Sequence, residues 1–169
     1  MIRHGTVADA SALAAFAART FYQTFAADNT EADMAAYLER TYGLAPQTAE
    51  LSSPDVTTLL AHRDQLLIAF AQVRRHAPPA VVPDRTAIEL RRFYVDRPAH
   101  GSGVAQLLMA AVFDATRALG GRHVWLGVWD RNLRAIAFYR KAGFHDVGTQ
   151  PFVLGSDHQT DRVMLARVP

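Results

Sequence analysis

The chain has 169 residues, half of them apolar and a fifth charged, with a formal net charge of only +2. That length suits a single soluble domain over 1–169 that buries roughly two-thirds of its unfolded surface, and no run of about 18 apolar residues offers a membrane-spanning helix. Cysteine is absent, which excludes disulfides, thiolate metal sites and a thiol nucleophile together; the histidines show no metal-ligand spacing, and the basic residues, all arginine except Lys141, are too dispersed for a nucleic-acid stripe.

Taken in order, Ile2 to His4 reads as a short first strand. Thr6 and Asp9 then mark the start of a helix whose apolar face, Leu13, Phe16, Phe21 and Phe25, reaches about Ala27. Asp9 also breaks any export-signal core, so a cytoplasmic protein is expected. Asn29-Thr30 caps a second helix that Gly43 ends, and Pro46 begins a short third one. From Asp55 the pattern changes: Val56 to Ala61 and Leu66 to Arg74 read as strands around a hairpin-like break, His62-Arg63-Asp64-Gln65. His76 to Arg85 carries three prolines and reads as an exposed loop. A strand over Ile88 to Val95, a turn with Pro98 and two glycines, and an amphipathic helix to Ala118 follow, stopped by Gly120-Gly121. His123 to Trp129 is strand-like, and Asn132 to Ala142 is a helix ended by Gly143. Two late strands lie near His145 to Phe152 and Asp161 to Val168, joined by Gly155-Ser156-Asp157. This order predicts an α/β (α+β) fold, with one mixed, mostly antiparallel sheet flanked by helices.

The chemistry concentrates in the turn His100-Gly101-Ser102-Gly103-Val104-Ala105. Glycines let backbone approach a ligand closely, and the free N–H groups of a helix N-terminus attract anions. The Gly-Lys-Ser/Thr of a Walker loop is missing, as are the third glycine and acidic strand end of a Rossmann fingerprint. Gly-rich turns also arise for tight packing, so the turn alone leaves both readings open.

A second segment adds to it. VWLGV at 124–128, then Asn132 and AIAFYRKAGF, taken with FYVDRPAHGSGVA, resembles the GNAT superfamily of acyl-CoA-dependent N-acyltransferases. The likeness is strong over about Ile88 to Phe144 and looser outside it. One departure is His100, where the family's phosphate loop usually carries Gln or Arg. The resemblance implies a sheet of about seven strands that splays between the fourth and fifth, with a bulge in the fourth. It implies that the backbone at Phe93, Tyr94 and Val95 bonds pantetheine. Backbone N–H groups at Gly101, Ser102, Gly103, Val104, Ala105 and Gln106, next to His100, would hold the pyrophosphate of acetyl-CoA. Asn132 would bond the pantetheine arm, and Lys141 would lie near the phosphates. It implies no metal, and a homodimer as the common family arrangement.

Acyl transfer to an amine expels a thiolate, to which a phenol can supply a proton, so Tyr139 is the candidate general acid; otherwise it is a core aromatic. Glu89 is the candidate general base, with an ion pair to Arg91 or another neighbour as the competing reading. For the acceptor, FYQTFAADNTEADMAAYLERTYG loosely resembles polyamine acetyltransferases of the PaiA type. Asp28, Glu31, Asp33 and Glu39 could draw a polycation, or simply decorate solvent faces. A peptide N-terminus, a lysine, an amino acid or an antibiotic amine are alternative acceptors, and a CoA-binding regulatory module without turnover is the alternative outside enzymes.

Overall fold

The computed structural model describes residues 1–155 and 157–169, so the connection expected at Gly155-Ser156-Asp157 lies partly outside the described residues. In chain order the elements are β1 (Ile2–His4), α1 (Ala10–Phe25), α2 (Glu31–Tyr42), α3 (Leu44–Ser52), β2 (Val56–Arg63), β3 (Leu66–Arg74), β4 (Ile88–Val95), α4 (Val104–Ala118), β5 (His123–Trp129), α5 (Leu133–Lys141), β6 (His145–Leu154) and β7 (Asp157–Arg167). The sheet runs β1-β2-β3-β4-β5-β7-β6, and every neighbouring pair is antiparallel except β4 with β5.

Three boundaries differ from the sequence reading, each for a local reason. Helix α3 starts at Leu44, because Pro46 fits inside the first turn, where its missing N–H is no loss. The hairpin break shrinks to Asp64 and Gln65, both with positive φ (48° and 66°), as a two-residue turn between twisted strands requires. Strands β6 and β7 extend towards one another as far as Leu154 and Asp157, so Asp161 lies inside β7 and not at its start.

Two features of β4 position everything that follows. It pairs with β5 over only two rungs, Ile88 with Val124 and Glu89 with Trp125, after which the strands part. It also carries the bulge implied by the resemblance. Gln72 opposes Arg92 while its neighbour Val73 opposes Leu90, so Arg91 is the extra residue. Strict alternation would send Arg91 and Arg92 to opposite faces. The bulge turns both towards one carboxylate, Glu50 of α3.

The sheet is covered on both faces. Leu108, Met109 and Val112 of α4, with Ile136 of α5, pack on Ala69, Ala71, Leu90 and Leu126. On the other face Leu13, Phe16 and Phe21 of α1 and Met34 of α2 pack on Leu60 and Phe70. Thr30 caps α2 by accepting the Asp33 N–H, and Asn132 caps α5 by accepting the Ala135 N–H.

Candidate active site

Where β4 and β5 part, the sheet opens into a cleft of about 860 Å³ that reaches from the α4 turn to the rings of α1 and α2. One wall is the free edge of β4. The Asp96 N–H bonds the Ile68 carbonyl at 2.9 Å, so Tyr94 and Arg92, in step with it, also spend their backbone groups on β3. Phe93 therefore turns both its groups to the cleft, and Val95 its N–H, the Val95 carbonyl being taken by the His100 ring. Tyr94, expected to join them, instead stacks its ring on Phe70, with centroids 5.6 Å apart.

The turn supplies donors in a similarly selective way. Gly101 and Gly103 have φ of 76° and 83°, a left-handed conformation that glycine adopts without strain. The His100 N–H is taken by the Arg97 carbonyl, and the Ser102 N–H and hydroxyl are both taken by the Ala99 carbonyl. Both follow from the tight 3-10 turn Arg97–Ala99, which folds these groups back on itself. Among the described residues, the N–H groups of Gly101, Gly103, Val104, Ala105 and Gln106 have no acceptor. The side chains of Ser102 and Val104 face away, towards the β2–β3 hairpin. The His100 ring lies with Nε2 2.9 Å from the Val95 carbonyl, to which only the Nε2–H tautomer can donate.

Tyr139 and Asn132 line the same cleft. The Tyr139 ring is held edge-on by Phe93, Phe138 and Phe144, and burial pushes its pKa up, so the phenol stays protonated and able to donate. Lys141 is exposed in the last turn of α5 and is not among the cleft-lining residues; helical rotation carries it away. Five arginines line the cleft: Arg74, Arg91 and Arg92 on β3 and β4, Arg97 beside the turn and Arg134 at the start of α5.

Glu89 lines the cleft too, but its carboxylate is bound by the Arg74 guanidinium and not by Arg91, which pairs with Glu50. The ion pair comes from register, since Arg74 and Glu89 are directly opposed across β3 and β4. None of Asp28, Glu31, Asp33 or Glu39 lines the cleft.

A family model described as the acetyltransferase (GNAT) family matches residues 18–144. The chain belongs to the GNAT family. It is therefore an acyl-CoA-dependent N-acetyltransferase, like a relative from Mycobacterium tuberculosis, an uncharacterized N-acetyltransferase that is 34% identical over 157 residues, 93% of this chain and 96% of the relative. Among solved structures, PaiA N-acetyltransferase from Thermoplasma acidophilum, in complex with coenzyme A, superposes with a TM-score of 0.80 at 22% identity, covering 99% of this GNAT chain and 98% of that one. A ribosomal-protein-alanine N-acetyltransferase from Brucella melitensis reaches a TM-score of 0.69 at 24% identity, covering 99% of both chains. At such identities the two structures share the GNAT fold.

The far half of the cleft in this GNAT protein escaped the sequence reading. Trp129 of β5, Gln150 and Phe152 of β6 and Asp161 of β7 line it, opposite Phe21 and Phe25 of α1 and Tyr37 of α2. Asp161 is only 8% exposed and its pKa is pushed up to about 6, first by burial and then by the nearby charge of Asp130. One signal was available. Gly127 interrupts the otherwise bulky VWLGVW, and a glycine inside a strand marks a close approach by another group. A Cβ there would lie 2.6 Å from Gln150 Nε2 and 3.0 Å from Asp161 Oδ2.

Proposed function

We propose that this GNAT protein transfers the acetyl group of acetyl-CoA to a primary amine by direct attack within a ternary complex. The observation that carries this reading is the continuity of one cleft. The free β4 edge at Phe93 and Val95, the five open N–H groups of the α4 turn, and the Tyr139 phenol all border it. Such a donor set fits an elongated cosubstrate with amides along its length and a diphosphate at one end.

In this reading Gly101, Gly103, Val104, Ala105 and Gln106 hold the pyrophosphate, with Arg97 and Arg134 adding positive charge. Both backbone groups of Phe93 and the N–H of Val95 bond the pantetheine amides much as an added strand would. The Asn132 Oδ1 is spent on its helix cap, so its Nδ2 is the group left for the same arm. The bound cosubstrate supplies an activated acetyl carbonyl, and Tyr139 supplies the proton for the departing sulfur. Glu89, tied to Arg74, serves best by fixing that arginine at the junction of β4 and β5. The polyamine acceptor loses its motive here, since the acids that suggested it lie outside the cleft lining.

The test is release of free thiol from acetyl-CoA on mixing with a panel of primary amines and peptides, together with mass measurement of the protein after incubation with acetyl-CoA alone. Thiol release that needs an amine, with no mass gain in its absence, is expected. A stoichiometric acetylated protein would overturn direct attack, and inertness across the panel would overturn the transferase reading of this site.

A further inference from the structure

Two carboxylates, Glu89 and Asp161, line the cleft, and the first is occupied. Glu89 is bound by Arg74, while Glu50, outside the lining, is shared by Arg91 and Arg92. Asp161 has no hydrogen-bond or ion-pair partner among the described residues, although its residue is nine-tenths buried. Its carboxylate opens only onto the cleft, and a charge so far withdrawn from water favours an occupant that supplies donors and positive charge.

The direction of the side chain says where that occupant sits. In the sheet Asp161 is opposed by Trp129 on one side and Gln150 on the other, so the three share a face. Its Oδ2 leans over Gly127, two residues beyond Trp125, the last residue of β5 that pairs with β4. The carboxylate thus overhangs the mouth of the split, on the face opposite the one that carries Tyr139.

The surroundings limit the ligand class. Asp130 at the end of β5 acts on Asp161 electrostatically, and Gln150 from β6 is neutral. From α1 and α2 come rings: Phe25 packs on Trp129 with centroids 5.9 Å apart, and Tyr37 packs on Phe152 at 6.2 Å. The Arg131 guanidinium lies over the Trp129 ring, 5.9 Å from its centroid. Farther across the cleft stand the Glu89–Arg74 pair and the Arg91–Glu50–Arg92 cluster, together three guanidiniums against two carboxylates. A second ammonium would meet that excess positive charge.

We propose that Asp161 is the docking and proton-accepting carboxylate for the acceptor, and that the acceptor is a monoamine with one primary ammonium on an apolar, ring-bearing body. This rests on the transferase reading above. The ammonium gives one proton to the Asp161 carboxylate, and the freed nitrogen lone pair forms the C–N bond as the C–S bond breaks. The second proton lost by nitrogen balances the one delivered to sulfur through Tyr139. The products are the amide, the thiol and a protonated Asp161 that returns its proton to solvent.

The test uses phenethylamine as the probe, titrated into the full-length protein saturated with CoA, so that no turnover occurs. Wild type should bind it, more weakly at pH 5 than at pH 8. Asp161→Asn should weaken binding at least about tenfold and abolish that pH dependence while leaving CoA affinity unchanged. With acetyl-CoA, the same variant should lose about 10²–10⁴-fold in kcat/KM for the amine. Gly127→Ala, which crowds Oδ2 without removing charge, should weaken phenethylamine and spare CoA. The proposal is overturned if wild type with CoA does not bind phenethylamine, if Asp161→Asn binds it within threefold of wild type with the same pH profile, or if spermidine binds at least tenfold tighter. Asp161-dependent binding in a protein that releases no thiol from acetyl-CoA would overturn the transferase reading and leave the ammonium site standing.

Discussion

The two halves of the cleft are built from different parts of the chain's chemistry. The half that we assign to the cosubstrate is mostly backbone: the free edge of β4 and the open N–H groups of one turn, all within residues 93–106. The half that we assign to the acceptor is side chains drawn from α1, α2, β5, β6 and β7, with Phe25 and Asp161 more than a hundred residues apart. A backbone site needs glycines and a strand–turn–helix order, which leave a local imprint on sequence. A side-chain site needs only that distant residues meet.

That contrast can be broken by variants on either side. The largest effect should come from Tyr139→Phe, which removes the donor and keeps the ring: kcat should fall by about 10²–10⁴-fold with CoA affinity unchanged, as read by steady-state kinetics and calorimetry. Next, Glu50→Ala leaves Arg92, whose side chain is 3% exposed, without its carboxylate. Loss of a buried partner of this kind costs roughly 3 kcal/mol or more, visible as a lowered urea midpoint. Gly103→Ala forces a left-handed backbone on a residue with a Cβ, at about 1–2 kcal/mol, and should weaken CoA roughly tenfold while sparing phenethylamine.

Asp161 also predicts a pH dependence of stability. Its folded pKa of about 6 lies above the ordinary value of 3.8, so the native state holds this proton more tightly than the unfolded chain does. Stability from this group is therefore present below pH 4 and lost as pH rises to 6. Asp161→Asn escapes that loss and should be more stable than wild type by about 1–2 kcal/mol at pH 7.5, allowing for partial solvation, with the gap closing near pH 4. Equal melting temperatures at both pH values would contradict it. The smallest effect belongs to the exposed cations. Arg134→Ala should weaken CoA about threefold at low salt, and Lys141→Ala should not, which tests where the phosphate end lies.

The same contrast explains what could be read from residues alone. Alternation and glycines located every strand, and β4 with the α4 turn was legible because its open backbone groups are set by local sequence. Asp161 was hidden because it stood at the assumed start of a strand, where an acid is ordinary, and only the length of β7 moves it inside. The partner of Glu89 was hidden because register, not spacing, chooses Arg74. Lys141 stands apart from the cleft lining because a helix turns about 100° per residue, and it lies nine residues past the Asn132 cap.

The two-rung contact between β4 and β5 has a consequence for how fast the protein trades hydrogen with water. With pairing confined to Ile88 and Glu89, the amides of Phe93 and Val95 lack the ladder that shields those of Arg92 and Tyr94. Along one strand, protection against exchange should alternate residue by residue, and an occupant that bonds this edge should erase the alternation.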